Sequence, residues 1–451
     1  MYLYRTRLGM KLIDYIGGKY KKTLKFFSYI SIFCGYILMI TMIYLLGRLV
    51  YIYVMNPEIV RAIKVPPLIP LIPYLPSLFK ITFLPPFYFT YWIIAIAVIA
   101  IFHEFAHGIL MKRYNIGIKS TGFGFLGPFL AAFVEQDEKE MKKASKFSQI
   151  SVLSAGTFTN LILSIIFFLL LGLFFMGFYQ ESGALFNTYT MGAVSIANIT
   201  SIGGISINNL NNSEILNVLE NNNFPVSLKL ENGESIDLIK ITANEKNYYM
   251  NQEILENQLT NQDYVILYED YSAINSGLKG AIISINGNEI KNYNQFVNVM
   301  KNYSPGDEVL IKTEYENSVY EYNINLSEDP NQKGKGIIGI GIINPEKTLA
   351  GKIFNFFNFF KEDATYYKPK FNSNLIIFIY NLLWWLAIIN ISVALVNMLP
   401  MGIFDGGRMF MLTIWGITKS EKFAILMYKI ATYFILGIFA ILMLTWFTAI
   451  F

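Results

Sequence analysis

Two histidines are all that this 451-residue chain contains, and they stand four apart in Ile101-Phe102-His103-Glu104-Phe105-Ala106-His107. On a helix, positions i and i+4 share a face, so both imidazoles point one way with a carboxylate beside them. That pattern suits a divalent metal, zinc above others, with two imidazole ligands and a glutamate able to serve as base. The bland alternative is a pair of satisfied core histidines. The setting weighs against it. Residues 88–111 form a mostly apolar run closed by Lys112 and Arg113, long enough for a bilayer core, which takes about 20 residues. At about 1.5 Å per residue, His103 lies roughly 15 Å inside the basic end. Ionisable groups at that depth are costly and are kept for function.

Catalytic zinc takes three protein ligands and leaves one position open for water. There is no third histidine, and the single cysteine, Cys34, lies in an apolar stretch, so the third ligand must be a carboxylate. Glu135, Asp137 and Glu138 are candidates, but they belong to a charged run, EQDEKEMKKASK (135–146), that reads as a solvated face. Asp405 differs. It lies between a long apolar stretch and Gly406-Gly407, where backbone can approach closely and an unpaired carboxylate would be expensive. A second role for it, capping a helix that starts near Gly407, is compatible with ligation. Glu104, rotated about 100° from His103 around a helix, is placed to hold a water and take its proton. With zinc lowering the pKa of water toward about 7, the reaction class is peptide hydrolysis.

These residues need a scaffold that brings 103–107 to 405. Hydrophobic residues make up 54% of the chain and mean hydropathy is +0.41, which predicts a polytopic α-helical membrane protein with five or six transmembrane helices. Apolar spans are expected at about 26–54, 88–111, 148–178, 374–399 and 421–451, with a short segment at 408–418. One cysteine excludes an intramolecular disulfide framework and a Cys-rich zinc site. The net charge is only +4 and the basic residues gather near span ends, so nothing points to nucleic acid. The first apolar span is too long and starts too late for a cleavable signal.

Seven lysines and arginines in the first 25 residues put the N-terminus in the cytoplasm of a cell-membrane protein. The Pro-rich stretch 65–87 cannot be a regular helix and reads as a membrane-surface or re-entrant segment on the outer side. Residues 117–134, apolar and Gly-rich, suggest a re-entrant hairpin lining a cavity. From 185 to 345 the chain turns polar and Asn-rich, with short alternating strands and Asn-Gly turns, so it reads as a soluble α+β insert on the outer side. The insert carries a near-repeat. Ser201-Ile202-Gly203-Gly204-Ile205-Ser206-Ile207-Asn208-Asn209 parallels Ser284-Ile285-Asn286-Gly287-Asn288-Glu289-Ile290-Lys291-Asn292, about 83 residues on. The expected order is 1–87 (basic segment, first span, Pro-rich stretch), 88–180 (first part of the membrane core), 185–260 and 261–345 (the two repeats), and 346–451 (second part of the core).

Taken in order, H-E-x-x-H at 103–107, G-x-x-x-N at Gly156–Asn160, and N-x-x-P-x-x-x-x-D-G-G at Asn397–Gly407 resemble the site-2 protease family of intramembrane zinc metalloproteases. The resemblance covers about 88–180 and 374–418. It implies one Zn2+ held by His103, His107 and Asp405, Glu104 as base, and Asn160 and Asn397 as substrate or oxyanion contacts; helix–helix hydrogen bonding is the asparagines' other reading. The insert resembles that family's PDZ domains, with Ser272–Gly280 and Ile282–Gly287 as the loop-and-strand pattern; the first repeat lacks the Ser-Gly-Leu segment. The implied partners are the lipid bilayer, transmembrane protein substrates, and peptide C-termini at the insert. An insert of this kind is expected to act as a size filter for trimmed substrates. A competing reading is a membrane-anchored peptide-binding scaffold with a non-catalytic metal site, and the glutamate at 104 argues against it. A third is a membrane zinc peptidase acting on termini, with Glu135 or Glu138 as ligand.

Overall fold

The computed structural model describes residues 2–6, 9–56, 60, 66–67, 71–78, 84–126, 129–208, 210–222, 224, 228–229, 235–260, 263–342, 358–371 and 373–450. Residues 65, 68–70 and 79–83 of the Pro-rich stretch, and residues 346–357, therefore lie outside the described residues. The chain divides into two compact units, Met1–Phe175 with Ser373–Phe451, and Met176–Asn372.

The first unit is built on long apolar helices. A strand β1 (Tyr2–Thr6) and a short helix α1 (Met10–Lys19) precede α2 (Lys21–Met55), α3 (Phe89–Arg113) and α4 (Lys146–Phe178); α5 (Asn374–Asn397), α6 (Asp405–Thr418) and α7 (Glu421–Ile450) follow the second unit. Among the described residues, α2 to α5 and the Glu421–Thr448 part of α7 are the five helices long and apolar enough to cross a membrane. The segment expected at 408–418 begins earlier, at Asp405, and its 14 residues fall short of a crossing. The chain is a polytopic membrane protein.

Packing inside this unit follows side-chain size. Tyr91, Trp92, Ala95 and Ile99 of α3 meet Trp385, Leu386 and Ile389 of α5, and the Trp385 indole N–H donates to the Pro86 carbonyl at 3.1 Å. The buried face of α4 is rich in small residues instead, with Ser148, Ser151, Ser154, Ala155, Gly156, Thr157 and Ser164 beside the larger Gln149, Val152, Leu153, Asn160, Leu171 and Phe175. Small residues let helix backbones approach closely in an apolar setting, where polar side chains then bond across helices. Ser154 meets Ser31 of α2 at 3.0 Å, and Ser164 donates to the Ala387 carbonyl of α5 at 2.8 Å.

The broken segment after α3 is a β-hairpin, β2 (Ile118–Leu126) and β3 (Phe129–Gln136), and β1 adds to it in the order β1-β2-β3. Its start is set by Asn115, whose left-handed φ of 59° ends α3 as a helix C-terminus requires. Beneath the sheet, α1 presses Ile13 against Gly108 of α3, where an added Cβ would lie 2.8 Å from the Ile13 side chain.

The second unit is sheet-rich and contains two modules. One sheet runs β6 (Met191–Ser195), β11 (Tyr264–Glu269), β10 (Lys246–Met250), β9 (Ile239–Ala243), β7 (Ile199–Ile202), β8 (Ile205–Ser206); the other runs β15 (Ser318–Asn325), β14 (Glu308–Tyr315), β12 (Ala281–Ile285), β4 (Tyr179–Ala184), β17 (Thr365–Pro369), with β13 (Asn288–Glu289) on β12. The near-repeat occupies equivalent places in both. β7 and β8 turn at Gly203-Gly204 (φ 58° and 85°), and β12 and β13 turn at Asn286-Gly287 (φ 47° and 80°), a pair of left-handed residues that suits the twist of a tight hairpin. Each hairpin leads into a helix capped by asparagine: Asn211 accepts from Glu214 N at 3.0 Å and Asn292 from Gln295 N at 2.9 Å.

The modules do not divide at 260/261. β11 (Tyr264–Glu269) pairs with β6 and β10 of the first sheet, while β4, which directly follows α4, pairs with β12 and β17 of the second. Each sheet is thus completed by a strand that sequence order gives to its neighbour. Alternation along a strand shows which side chains face a core, but not which core.

Candidate metal centre

α3 carries His103 and His107 on one buried face, one turn apart. Asp405 opens α6 as its first helical residue, where a carboxylate is favoured by the unpaired N–H groups of the helix start. The loop before it is tight. A Cβ on Gly406 would lie 2.4 Å from the Met398 backbone, and one on Gly407 2.1 Å from the Met401 carbonyl oxygen, so the Gly-Gly pair is what lets α6 start directly against the end of α5.

These elements bring three ligand atoms together. Nε2 of His103 and Nε2 of His107 are 3.0 Å apart, and each lies 3.4 Å from Oδ2 of Asp405. Glu104 lines the same cavity of about 820 Å³, with Asn397, Lys119, Glu135, Glu138 and Arg408 at its polar parts and Ile96, Ile99, Ile389 and Val393 among its apolar walls. The Glu104 carboxylate accepts the backbone N–H of Val134 in β3 at 3.0 Å, so the hairpin holds this carboxylate from one side.

α4 backs the cluster. Nδ1 of His107 stands 2.6 Å from the Val152 carbonyl. A carbonyl only accepts, so Nδ1 carries the proton, and in the neutral ring Nε2 presents its lone pair to the cluster. One turn on, a Cβ at Gly156 would lie 2.5 Å from both His103 Cε1 and His107 Nε2, so only glycine lets α4 lie against the two rings. Another turn on, the Asn160 amide meets His103 Nδ1 at 3.0 Å. Asn160 is fully buried, whereas Asn397 is part-exposed on the cavity wall.

The other carboxylates are engaged elsewhere. Glu135 accepts from Ser120 at 2.7 Å and lies 3.4 Å from Arg5; the hydroxyl first and the guanidinium with it hold its carboxyl below the usual range. Asp137 caps the helix Glu138–Lys143, and the backbone N–H groups of Glu140 and Lys139 lower it likewise. Glu138 accepts from Gln136 at 2.7 Å. Among the described residues, His103, His107 and Asp405 form the cluster able to hold a metal ion.

Sequence reasoning did not find three parts of this site. The Val152 carbonyl and the Val134 N–H are backbone groups and leave no mark on composition. Arg408 had a signal, three residues after Asp405 and hence on the same side of a helix.

A family model for peptidase family M50 matches residues 91–438. The chain belongs to that family, the site-2 proteases. The matched range holds all three motifs and runs through the insert. An uncharacterized protein of Methanocaldococcus jannaschii is 43% identical over 72 residues, which is 16% of this chain and 20% of that protein; the match thus spans about a fifth of the relative's length.

Proposed function

We propose that this site-2 protease family member is an intramembrane zinc endopeptidase that hydrolyses peptide bonds within transmembrane segments of other proteins. The observation that carries the reading is the ligand triangle. Zinc bonds of about 2.0–2.1 Å at tetrahedral angles place ligand atoms about 3.3 Å apart, and the three separations here are 3.0, 3.4 and 3.4 Å. The donor set, two imidazoles and one carboxylate with no fourth protein group among the described residues, is that of a catalytic site. His103, His107 and Asp405 would hold the ion, which when bound supplies a Lewis acid and makes water a better nucleophile near neutral pH.

The chain's own residues do the rest. Glu104 takes the proton of the attacking water and delivers it to the leaving amine. Asn397 lies on the cavity wall, which supports a role for it as a donor to a substrate carbonyl. The apolar walls suit a segment arriving from lipid, while the polar parts admit water. An intact substrate helix hides its carbonyls in its own hydrogen bonds, so substrates must unwind locally before attack. The insert, entering the chain between α4 and α5, fits a pair of PDZ-like modules that admit trimmed substrates and receive peptide C-termini. The lysine distribution supports a cytoplasmic N-terminus and an external insert.

The scaffold reading is disfavoured by Glu104, since a purely structural metal needs no glutamate in the same cavity. The deciding experiment is zinc content and cleavage of a transmembrane reporter in proteoliposomes. One zinc per chain with chelator-sensitive cleavage supports the proposal; a chain that cleaves as well after complete zinc removal overturns it.

A further inference from the structure

Asn160 contacts a metal-ligating imidazole from behind, out of reach of the cavity. We propose that it is a positioning residue: its Oδ1 accepts the Nδ1–H of His103 and so fixes the tautomer that leaves Nε2 free for metal. The inference rests on His103 as a zinc ligand.

Three observations carry it. First, the amide and the ring are 3.0 Å apart at a fully buried site, so this contact decides where the His103 proton sits. The Nδ2 end of the amide is the one that lies against the ring; kept that way round, it would donate to Nδ1 and leave the proton on Nε2, which faces Nε2 of His107 and Oδ2 of Asp405. That tautomer cannot ligate. Secondly, with NH2 toward the ring, Oδ1 of Asn160 is buried and has no partner, a cost of about 1–3 kcal/mol. The two ends of an amide have nearly the same shape, so turning it over fits the same space and puts the acceptor against Nδ1–H, with the NH2 taking the place of that oxygen.

Thirdly, the neighbouring histidine already shows the same device. The Val152 carbonyl fixes the Nδ1–H tautomer of His107. Val152, Gly156 and Asn160 follow one another at four-residue intervals along α4, spanning about 12 Å. One face of one helix thus offers an acceptor, a gap for two rings, and a second acceptor. Metal-ligating histidines commonly give their other N–H to such a group, and losing it weakens metal binding about 10–100-fold.

The test reads tautomers directly, because the chain has only two imidazoles. In 15N spectra of the metal-free protein at mildly alkaline pH, both rings should be Nδ1–H. A wild-type His103 that is mainly Nε2–H overturns the proposal, whatever the chain's affinity for zinc or its activity. Chelator competition gives the second arm. Asn160→Asp, which keeps an acceptor of the same size, should retain most of the zinc affinity, while Asn160→Leu should lose about 10–100-fold. Equal loss in both, or in neither, refutes the acceptor role. A chain that binds no zinc yet shows both Nδ1–H rings would instead refute the metal assignment and leave the tautomer finding standing.

Discussion

Gly156→Ala offers the sharpest test of how α4 lies against the metal centre. The added methyl carbon would stand 2.5 Å from His103 Cε1, 2.5 Å from His107 Nε2 and 2.6 Å from His103 Nε2. Non-bonded carbons settle at about 3.5–4.0 Å, so the rings must retreat by about 1 Å. Neither can do so alone, because each is held at Nδ1 by α4 itself, at Val152 and Asn160. Metal–ligand distances tolerate about 0.2 Å, several-fold less than the required shift. Zinc affinity should therefore fall by at least the roughly 10–100-fold seen when a ligand's support is lost, with a further cost of about 1–3 kcal/mol to the fold from overpacking. The assay is competition with a chelator of known affinity on detergent-purified protein, with thermal unfolding alongside. Gly177→Ala on the same helix is the control, since nothing lies within 4 Å of its added Cβ. It should leave zinc binding unchanged and, as an ordinary helical glycine, stabilise by up to about 1 kcal/mol. A folded Gly156→Ala variant with wild-type zinc affinity would refute the close approach described here.

Glu104→Gln should keep one zinc per chain and lose cleavage by orders of magnitude, since glutamine cannot accept the proton; cleavage at the wild-type rate would remove Glu104 as the base. His103→Ala and Asp405→Ala should each purify without zinc, whereas Glu138→Ala should purify with it, and metal content by mass spectrometry separates these outcomes. For topology, Cys34→Ser carrying either Lys143→Cys or Glu245→Cys, both exposed positions, should label from opposite faces of sealed vesicles; labelling from the same face would discard the proposed orientation.

The cluster of His103, His107 and Asp405 was legible in the sequence because rarity and depth coincide. Two histidines at helical spacing inside an apolar run, and one aspartate before a Gly-Gly pair, have few bland explanations. The five spans were legible for a similar reason, since apolar length is a one-dimensional property. What escaped was set by pairing between distant segments. That β1 joins the hairpin, that β11 serves the first sheet, and that β4 and β17 meet each other are matters of which edge finds which. Strand patterns carry the facing of side chains but not the choice of partner.

Asn160 marks the same boundary within the site. Its motif was visible, yet spacing alone offered a substrate contact and a helix–helix bond equally. Only the arrangement in space separates them: a buried amide against the back of His103, on the helix face that also offers the Val152 carbonyl and the gap at Gly156. On that arrangement the G-x-x-x-N motif has a physical meaning of its own. The glycine admits the rings, the asparagine four residues later reaches the proton on the far side of one of them, and a helical carbonyl four residues earlier does the same for the other. A transmembrane helix with no ligand of its own thereby decides whether the ligands on its neighbour are fit to bind.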